Sequence, residues 1–503
     1  MREKFTLAAA AFYVFSLSAC QNGHGSPVSK KFTADTSVVA IDAGLITGTT
    51  DPSKEIRVFL GIPFAAPPVG PLRWREPQPV MPWKTVLACD HFGPSPIQST
   101  IRGRPGEYSE DCLYLNVWTG ARQPSEKRPV IVWIYGGGFT DGSSVYDDGE
   151  AMARKGIVFV SFNYRVGLLG FLAHPALSRE SPYHVSGNYG ILDQIAALQW
   201  VRRNIAAFGG DTANVTIQGE SAGSCSVNTL IASPLAKGLF HRAIAESGAF
   251  FRPLRNRTLA EAEAEGEQVM RDKRALTLEA MRALPVSDLT GTVRRLPAVD
   301  GYVLPDNVDV LYRQGKISKV DLLTGYNEGD NFKDEDFVDH AAFVDFAQRN
   351  YGDRAKDFLA LYPGRIEEES SAFARDLLFG WEHYTWAKEE SAGGKTKAFM
   401  YYFDRVPPGA ANAYHSAEII YALRNLDRVN RPWTRWDATL SRYMNDYWVN
   451  FATKGDPNGP GLPHWPLFSP EQTKVMELGD SLRVIPLPAM HAFSFFDPYP
   501  RYH

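Results

Sequence analysis

The chain has 503 residues, 44% hydrophobic, 12% aromatic and 22% charged, with a net charge of −4. That length and composition can bury a large core, which excludes a disordered or fibrous protein. Lys and Arg are not in excess, which argues against a nucleic-acid binder, and four cysteines are too few for a disulfide-dense scaffold.

The first 20 residues read as an export signal. Arg2 and Lys4 give a positive start, and Phe5 to Leu17 is uncharged and apolar, too short to span a bilayer. Leu17-Ser18-Ala19-Cys20 resembles the bacterial lipobox, in which the cysteine is acylated and becomes the mature N-terminus. The expectation is a signal peptide over 1–19, a lipid anchor at Cys20 and a polar tether over 20–33. The mature chain would then be exported to the bacterial cell envelope, meeting the membrane only through that anchor.

No repeat with a period of 20–50 residues appears in the rest of the chain, which argues against solenoids and propellers. Pro129 to Tyr135 and Gly156 to Phe162 are continuous apolar runs, as expected of strands buried on both faces. Ile191, Ile195, Leu198, Val201 and Ile205 recur at helical spacing, predicting a helix over Leu192 to Phe208 that Gly209-Gly210 stops. Asn214 to Gln218 is a further short strand, and strand-like runs return at 320–324 and 399–403. Alternating strands and helices imply a large, mostly parallel sheet with helices on both faces. The more charged stretches 255–295 and 333–395 read as helical insertions. No linker separates two cores, so 34–503 is expected to be one α/β domain.

Two glycine-rich turns follow these strands. Gly219-Glu220-Ser221-Ala222-Gly223 joins a strand to an apolar helix, the setting of a nucleophile elbow. The sharp turn needs small neighbours and lifts the Ser221 hydroxyl to a helix N-terminus. Tyr135-Gly136-Gly137-Gly138-Phe139 lets the backbone approach a substrate and aim N–H groups at it. Gly137, Gly138 and Ala222 are therefore the candidate oxyanion-hole donors. A phosphate loop is the competing reading, but the Lys-Ser/Thr ending and the G-x-G-x-x-G spacing are missing.

In these segments the chain resembles the type-B carboxylesterase/cholinesterase family of α/β-hydrolases. Phe59 to Ala65, Glu110 to Val117, Trp133 to Phe139, Asn163 to Gly167, Asn188 to Gln194, Phe208 to Asp211 and Gly219 to Gly223 occur in family order. The resemblance covers about 34–500, densest before residue 250. It implies an α/β-hydrolase fold and a serine ester hydrolase that needs no metal or cofactor and acts on a small-molecule ester through an acyl-enzyme. It also implies a Ser, acid, His order along the chain.

His415, in Tyr414-His415-Ser416-Ala417-Glu418, matches the family's His-Gly-x-Glu segment with Ser416 in place of glycine. For the acid, the segment Gly325 to Phe332 offers two candidates. Counting without a gap selects Asp330, whereas Glu328 requires two deleted residues; the intact loop length favours Asp330. The resemblance also pairs Arg73 with Glu110 and Arg165 with Asp193 as scaffold ion pairs, and Cys89 with Cys112 as a disulfide. Cys225 reads as a buried thiol beside the elbow.

Residues 90–111 contain no Trp, which argues against a cholinesterase-type cation site. Trp381, Tyr384 and Trp386 either line a pocket or pack in the core. Two other classes share the pattern: a non-catalytic scaffold on this fold, and an acyltransferase or an amide or carbamate hydrolase using the same site. Retention of Ser221, His415, an acid and the glycine run favours an enzyme. The sequence does not decide the oligomeric state.

Overall fold

The computed structural model describes residues 33–53, 55–98, 107–251, 256–290, 296–331 and 337–498. The expected signal peptide, Cys20 and the tether as far as residue 32 lie outside them.

Among the described residues the main sheet has 13 strands. The first five are β1 (Thr33–Ile41), β2 (Gly44–Thr50), β3 (Arg57–Pro63), β4 (Leu87–Ala88) and β5 (Tyr114–Thr119). Next come β6 (Arg128–Ile134), β7 (Val158–Phe162), β8 (Gly210–Glu220), β9 (Arg242–Glu246), β10 (Asp321–Asn327) and β11 (Ala398–Phe403). The hairpin β12 (Lys474–Leu478) and β13 (Leu482–Pro486) ends the sheet. The spatial order is β1-β2-β3-β5-β7-β6-β8-β9-β10-β11-β12-β13, with β4 beside β2.

From β7 to β12 every neighbouring pair is parallel. The flanking pairs β1–β2, β2–β3, β3–β5, β5–β7 and β12–β13 are antiparallel. The sheet is thus mixed, with the parallel centre that the apolar runs predict.

Alternation along the central strands shows that both faces are buried. In β6, Val130, Val132 and Ile134 join one core and Ile131 and Trp133 the other. In β11, Ala398, Met400 and Tyr402 face the first core and Phe399, Tyr401 and Phe403 the second. Burying each large apolar side chain contributes about 1.5–3 kcal/mol, and β11 leaves no position for solvent.

Helices cover both faces. α1 (Tyr189–Asn204) and α2 (Ala222–Ala232) pack Ile195, Leu198, Val201, Val227 and Leu230 into the first core. α1 starts three residues before the predicted position and passes into a 3-10 turn over Ile205–Phe208, which ends at Gly209 with φ 78°. The charged insertions hold α3 (Leu259–Asp272), α4 (His340–Tyr351) and α5 (Trp381–Ser391). α6 (Arg435–Lys454) packs Leu440, Met444, Trp448 and Phe451 against the second face. It is capped by the Thr434–Asp437 capping box and stopped at Gly455 in left-handed backbone.

Candidate active site

Ligands of open α/β sheets bind beyond the carboxyl ends of the strands. Every predicted triad and oxyanion residue sits there. Gly136–Gly138 follow β6, Ser221 follows β8, Asp330 follows β10 and His415 lies on the loop after β11. β9, between β8 and β10, delivers Ser247 to the same edge.

The elbow is set by backbone geometry. Ser221 has φ 57° and ψ −122°, and its N–H donates to Glu246 O at 2.8 Å. This left-handed backbone is uncommon for a side chain with a β-carbon and turns the residue sharply from β8 into α2. The first N–H groups of α2, beginning at Ala222, have no partner inside the helix. A β-carbon on Gly223 would lie 2.0 Å from Ile134 O, which explains why only glycine fits between the elbow helix and β6.

The glycine run lies against this turn. A β-carbon on Gly136 would stand 3.0 Å from Ser221 Cβ. Gly137 has φ 105°, and its carbonyl accepts from Thr140 N at 3.0 Å and Asp141 N at 3.1 Å. The strand end beneath is locked by two stacked tyrosines with ring centroids 4.4 Å apart. The Tyr135 hydroxyl donates to Tyr164 O at 2.9 Å, and the Tyr164 hydroxyl donates to Tyr135 O at 3.0 Å. Gly167 N donates to Phe139 O at 2.7 Å, so the Asn163–Gly167 motif braces the glycine loop.

Side-chain bonds build the acid and imidazole half. His415 Nδ1 lies 2.6 Å from Asp330 Oδ1. Asp330 is fully buried, and its Oδ2 accepts from Ser247 Oγ and from Asn327 N, both at 2.8 Å. The two loops are stitched together: Gly329 N donates to Ala413 O at 3.0 Å, and Asn327 Nδ2 donates to Tyr414 O at 3.0 Å. Phe379, on a π-helical turn over Asp376–Gly380, packs its ring 5.4 Å from the His415 ring.

Buried carboxylates underlie the site. Glu220 Oε1 lies 3.1 Å from His415 Nε2 and accepts from Ser416 Oγ at 2.5 Å. Burial pushes the Glu220 carboxyl up to about 7, opposed by His415 and by the Ser416 bond. Burial likewise raises Glu246 to about 7, although Trp448 Nε1 and Gln218 Nε2 donate to it at 3.0 and 2.8 Å. Glu418 is raised well above its ordinary value by burial and then by Glu220, Glu246 and Asp330.

His383 is a further buried group that the motifs do not reveal. Its Nε2 accepts from Gly248 N at 2.7 Å, so its proton sits on Nδ1, 2.5 Å from Thr324 Oγ1. Burial lowers it to about 3 and keeps it neutral. Gly248 packs on the Ser221 carbonyl, where a β-carbon would come within 2.3 Å. Spacing does not single out Ser247, Glu220, Ser416, Phe379 or His383 as site residues. Glu220 and Ser416 flank the two motif residues, and that adjacency is the only signal the sequence carries.

Other expectations fare differently. Glu328 is 42% exposed at its side chain and 3.8 Å from Arg375, away from His415. Arg73 grips Glu110 through two contacts of 2.7 and 2.6 Å, and Arg165 grips Asp193 through two of 2.8 and 2.7 Å. Cys225 is buried, its thiol donating to Ala249 O at 3.6 Å.

The expected Cys89–Cys112 disulfide is corrected: both residues are buried free thiols. Cys89 is tied to the sheet edge, its N–H donating to Thr47 O at 2.8 Å and its carbonyl accepting from Leu60 N at 2.9 Å. Cys112 instead lines a small cavity with Pro96, Ile97, Arg73, Glu110 and Arg165. Burial pushes the Cys89 thiol up to about 12 and that of Cys112 well above its ordinary value, which leaves both unreactive.

Trp381 and Trp386 are completely buried and Tyr384 nearly so, which makes this stripe core. Among the described residues no group of three His, Cys, Asp or Glu is placed to hold a metal ion.

Comparison with known proteins gives the family. A model of the carboxylesterase family matches residues 35–493. The chain is 38% identical to the fumonisin B1 esterase of Sphingopyxis macrogoltabida, covering 85% of this chain and 84% of that one. It is 34% identical to the cholinesterase of Mus musculus, covering 90% and 85% respectively. Among solved structures, a PNB esterase superposes with a TM-score of 0.83 at 30% identity, covering 92% of this chain and 100% of that one. The chain belongs to the carboxylesterase family, has the α/β-hydrolase fold and is a carboxylic ester hydrolase.

Proposed function

We propose that Ser221, His415 and Asp330 form the catalytic triad and that hydrolysis passes through an acyl-enzyme on Ser221. The observation that carries this reading is the 2.6 Å contact between His415 Nδ1 and Asp330 Oδ1, beside the strained Ser221 elbow. His415 Nε2 takes the serine proton as Oγ attacks the ester carbonyl, and Asp330 holds the ring in the tautomer that leaves Nε2 able to accept it. The N–H groups of Gly137, Gly138 and Ala222 receive the negative charge on the carbonyl oxygen. His415 then protonates the leaving alcohol, and water releases the acid by the same steps in reverse.

Electrostatics support this division of labour. Asp330 is saturated by Ser247 and Asn327 on Oδ2, so Oδ1 is directed at the imidazole. Hydrolysis of a graded series of acyl esters, followed with and without Ser221→Ala, tests the reading. The expected result is a loss of kcat of about 10⁶-fold in Ser221→Ala across the whole series. Substantial residual turnover would assign the chemistry elsewhere.

A further inference from the structure

We propose that Ser416 is a positioning residue: its hydroxyl holds the Glu220 carboxylate against the Nε2 edge of His415, as a second counter-charge for the imidazolium. The proposal rests on the assignment of Ser221 and His415 as the reacting pair. Three observations carry it. Ser416 Oγ donates to Glu220 Oε1 at 2.5 Å, and the same oxygen lies 3.1 Å from His415 Nε2. The other oxygen of the carboxylate faces the glycine run, where a β-carbon on Gly136 would stand 2.8 Å from Glu220 Oε2. Ser416 itself has φ 72°, left-handed backbone in which glycine is the unstrained residue. A β-carbon kept there against strain delivers a hydroxyl, and that hydroxyl reaches one acceptor beside the imidazole.

The charged surroundings make such a clamp necessary. Glu220 is only 3% exposed and faces His415 and Glu418 from the imidazole loop, Asp330 from the loop after β10, and Asp147 from the loop after the glycine run. Glu246 on β9 and Tyr401 on β11 complete the shell. Of these groups only His415 can bring positive charge. Four neighbouring carboxyls and burial favour a neutral Glu220, whereas the Ser416 hydroxyl favours the ionised form. An ionised Glu220 at Nε2 favours the imidazolium and so sets the pH below which His415 is already protonated and cannot accept the Ser221 proton. Asp330 orients the ring from Nδ1, and Glu220 tunes it from Nε2.

The test is the pH profile of kcat/KM for the full chain and for Ser416→Ala, Ser416→Gly and Glu220→Gln. Both Ser416 variants should move the acid limb to lower pH by about one unit, because loss of the donor lets Glu220 keep its proton. Glu220→Gln should move it at least as far, and adding Ser416→Ala to that variant should move it no further. Ser416→Gly relaxes the backbone while Ser416→Ala retains its strain, so equal shifts in both isolate the hydroxyl. An unmoved limb, a shift in only one of the two, or an undiminished shift in the Glu220→Gln background would overturn the proposal. Ser221→Ala run in the same series separates the two claims: turnover surviving there would remove the triad reading itself.

Discussion

The two halves of the site are held by different physics. The Ser221 elbow and the glycine run are fixed by backbone shape: a left-handed serine, glycines with no room for a β-carbon, and tyrosines locking the strand end. The Asp330 and His415 loops are fixed by side-chain bonds among buried, mutually repelling carboxylates. A shape-held half fails when volume is added. A charge-held half fails when a proton or a partner is moved. The Ser221 side of the site is therefore rigid and the His415 side adjustable.

The sharpest way to break the charge-held half is Asp330→Asn. It keeps the size but removes the anion beside His415 Nδ1, so under the proposed triad kcat should fall by about 10⁴-fold. Glu328→Gln, on an exposed side chain, should change kcat less than about threefold. The two rates come from one ester assay, and the opposite order would transfer the acid role to Glu328.

The shape-held half should break with Gly223→Ala. Its new β-carbon meets the Ile134 carbonyl at 2.0 Å, within a strand–helix contact that has no flexible side chain to yield. The expected cost is about 3 kcal/mol or more, read as a fall of several degrees in Tm. An unchanged melting curve would show that the elbow is not held by contact.

The smallest effect separates the two kinds of support at a single residue. His383 sits under the elbow, and burial lowers it from 6.5 to about 3 in the folded chain. The unfolded chain therefore binds its proton first. The stability this neutral histidine contributes is complete above about 6.5 and is lost as the pH falls towards 3. His383→Gln should melt lower at pH 8, yet its Tm should drop less on going to pH 4 than that of the parent, by about 5 °C. Parallel Tm–pH curves would contradict a neutral, buried His383.

The same contrast explains what was legible in the sequence. Strands at 129–135, 156–162 and 399–403 could be read because a strand buried on both faces leaves an uninterrupted apolar run. The edge strand β13 could not, since it has only half-buried and exposed positions and no such run. β8 begins at Gly210, four residues before the predicted start at Asn214, because 211–214 ride on an irregular stretch of its pairing with β6. The elbow and the glycine run were legible because shape constraints leave glycines in the chain. Counting alone does not separate Asp330 from Glu328, because two carboxylates two residues apart differ in burial and in the bonds from Ser247 and Asn327, which the sequence does not display. Glu220, Glu246 and Glu418 come from three separate segments, and only the parallel sheet gathers them. The Cys89–Cys112 pairing that the resemblance implies is not formed, since both are free thiols.

The central claim is that one serine, at the strained elbow, carries the acyl group. Treating the full chain with a fluorophosphonate and locating the adduct by peptide mass spectrometry tests it directly. The account predicts a single adduct on Ser221 and complete loss of ester hydrolysis in step with labelling. An adduct on any other residue, or full labelling with activity intact, would contradict it.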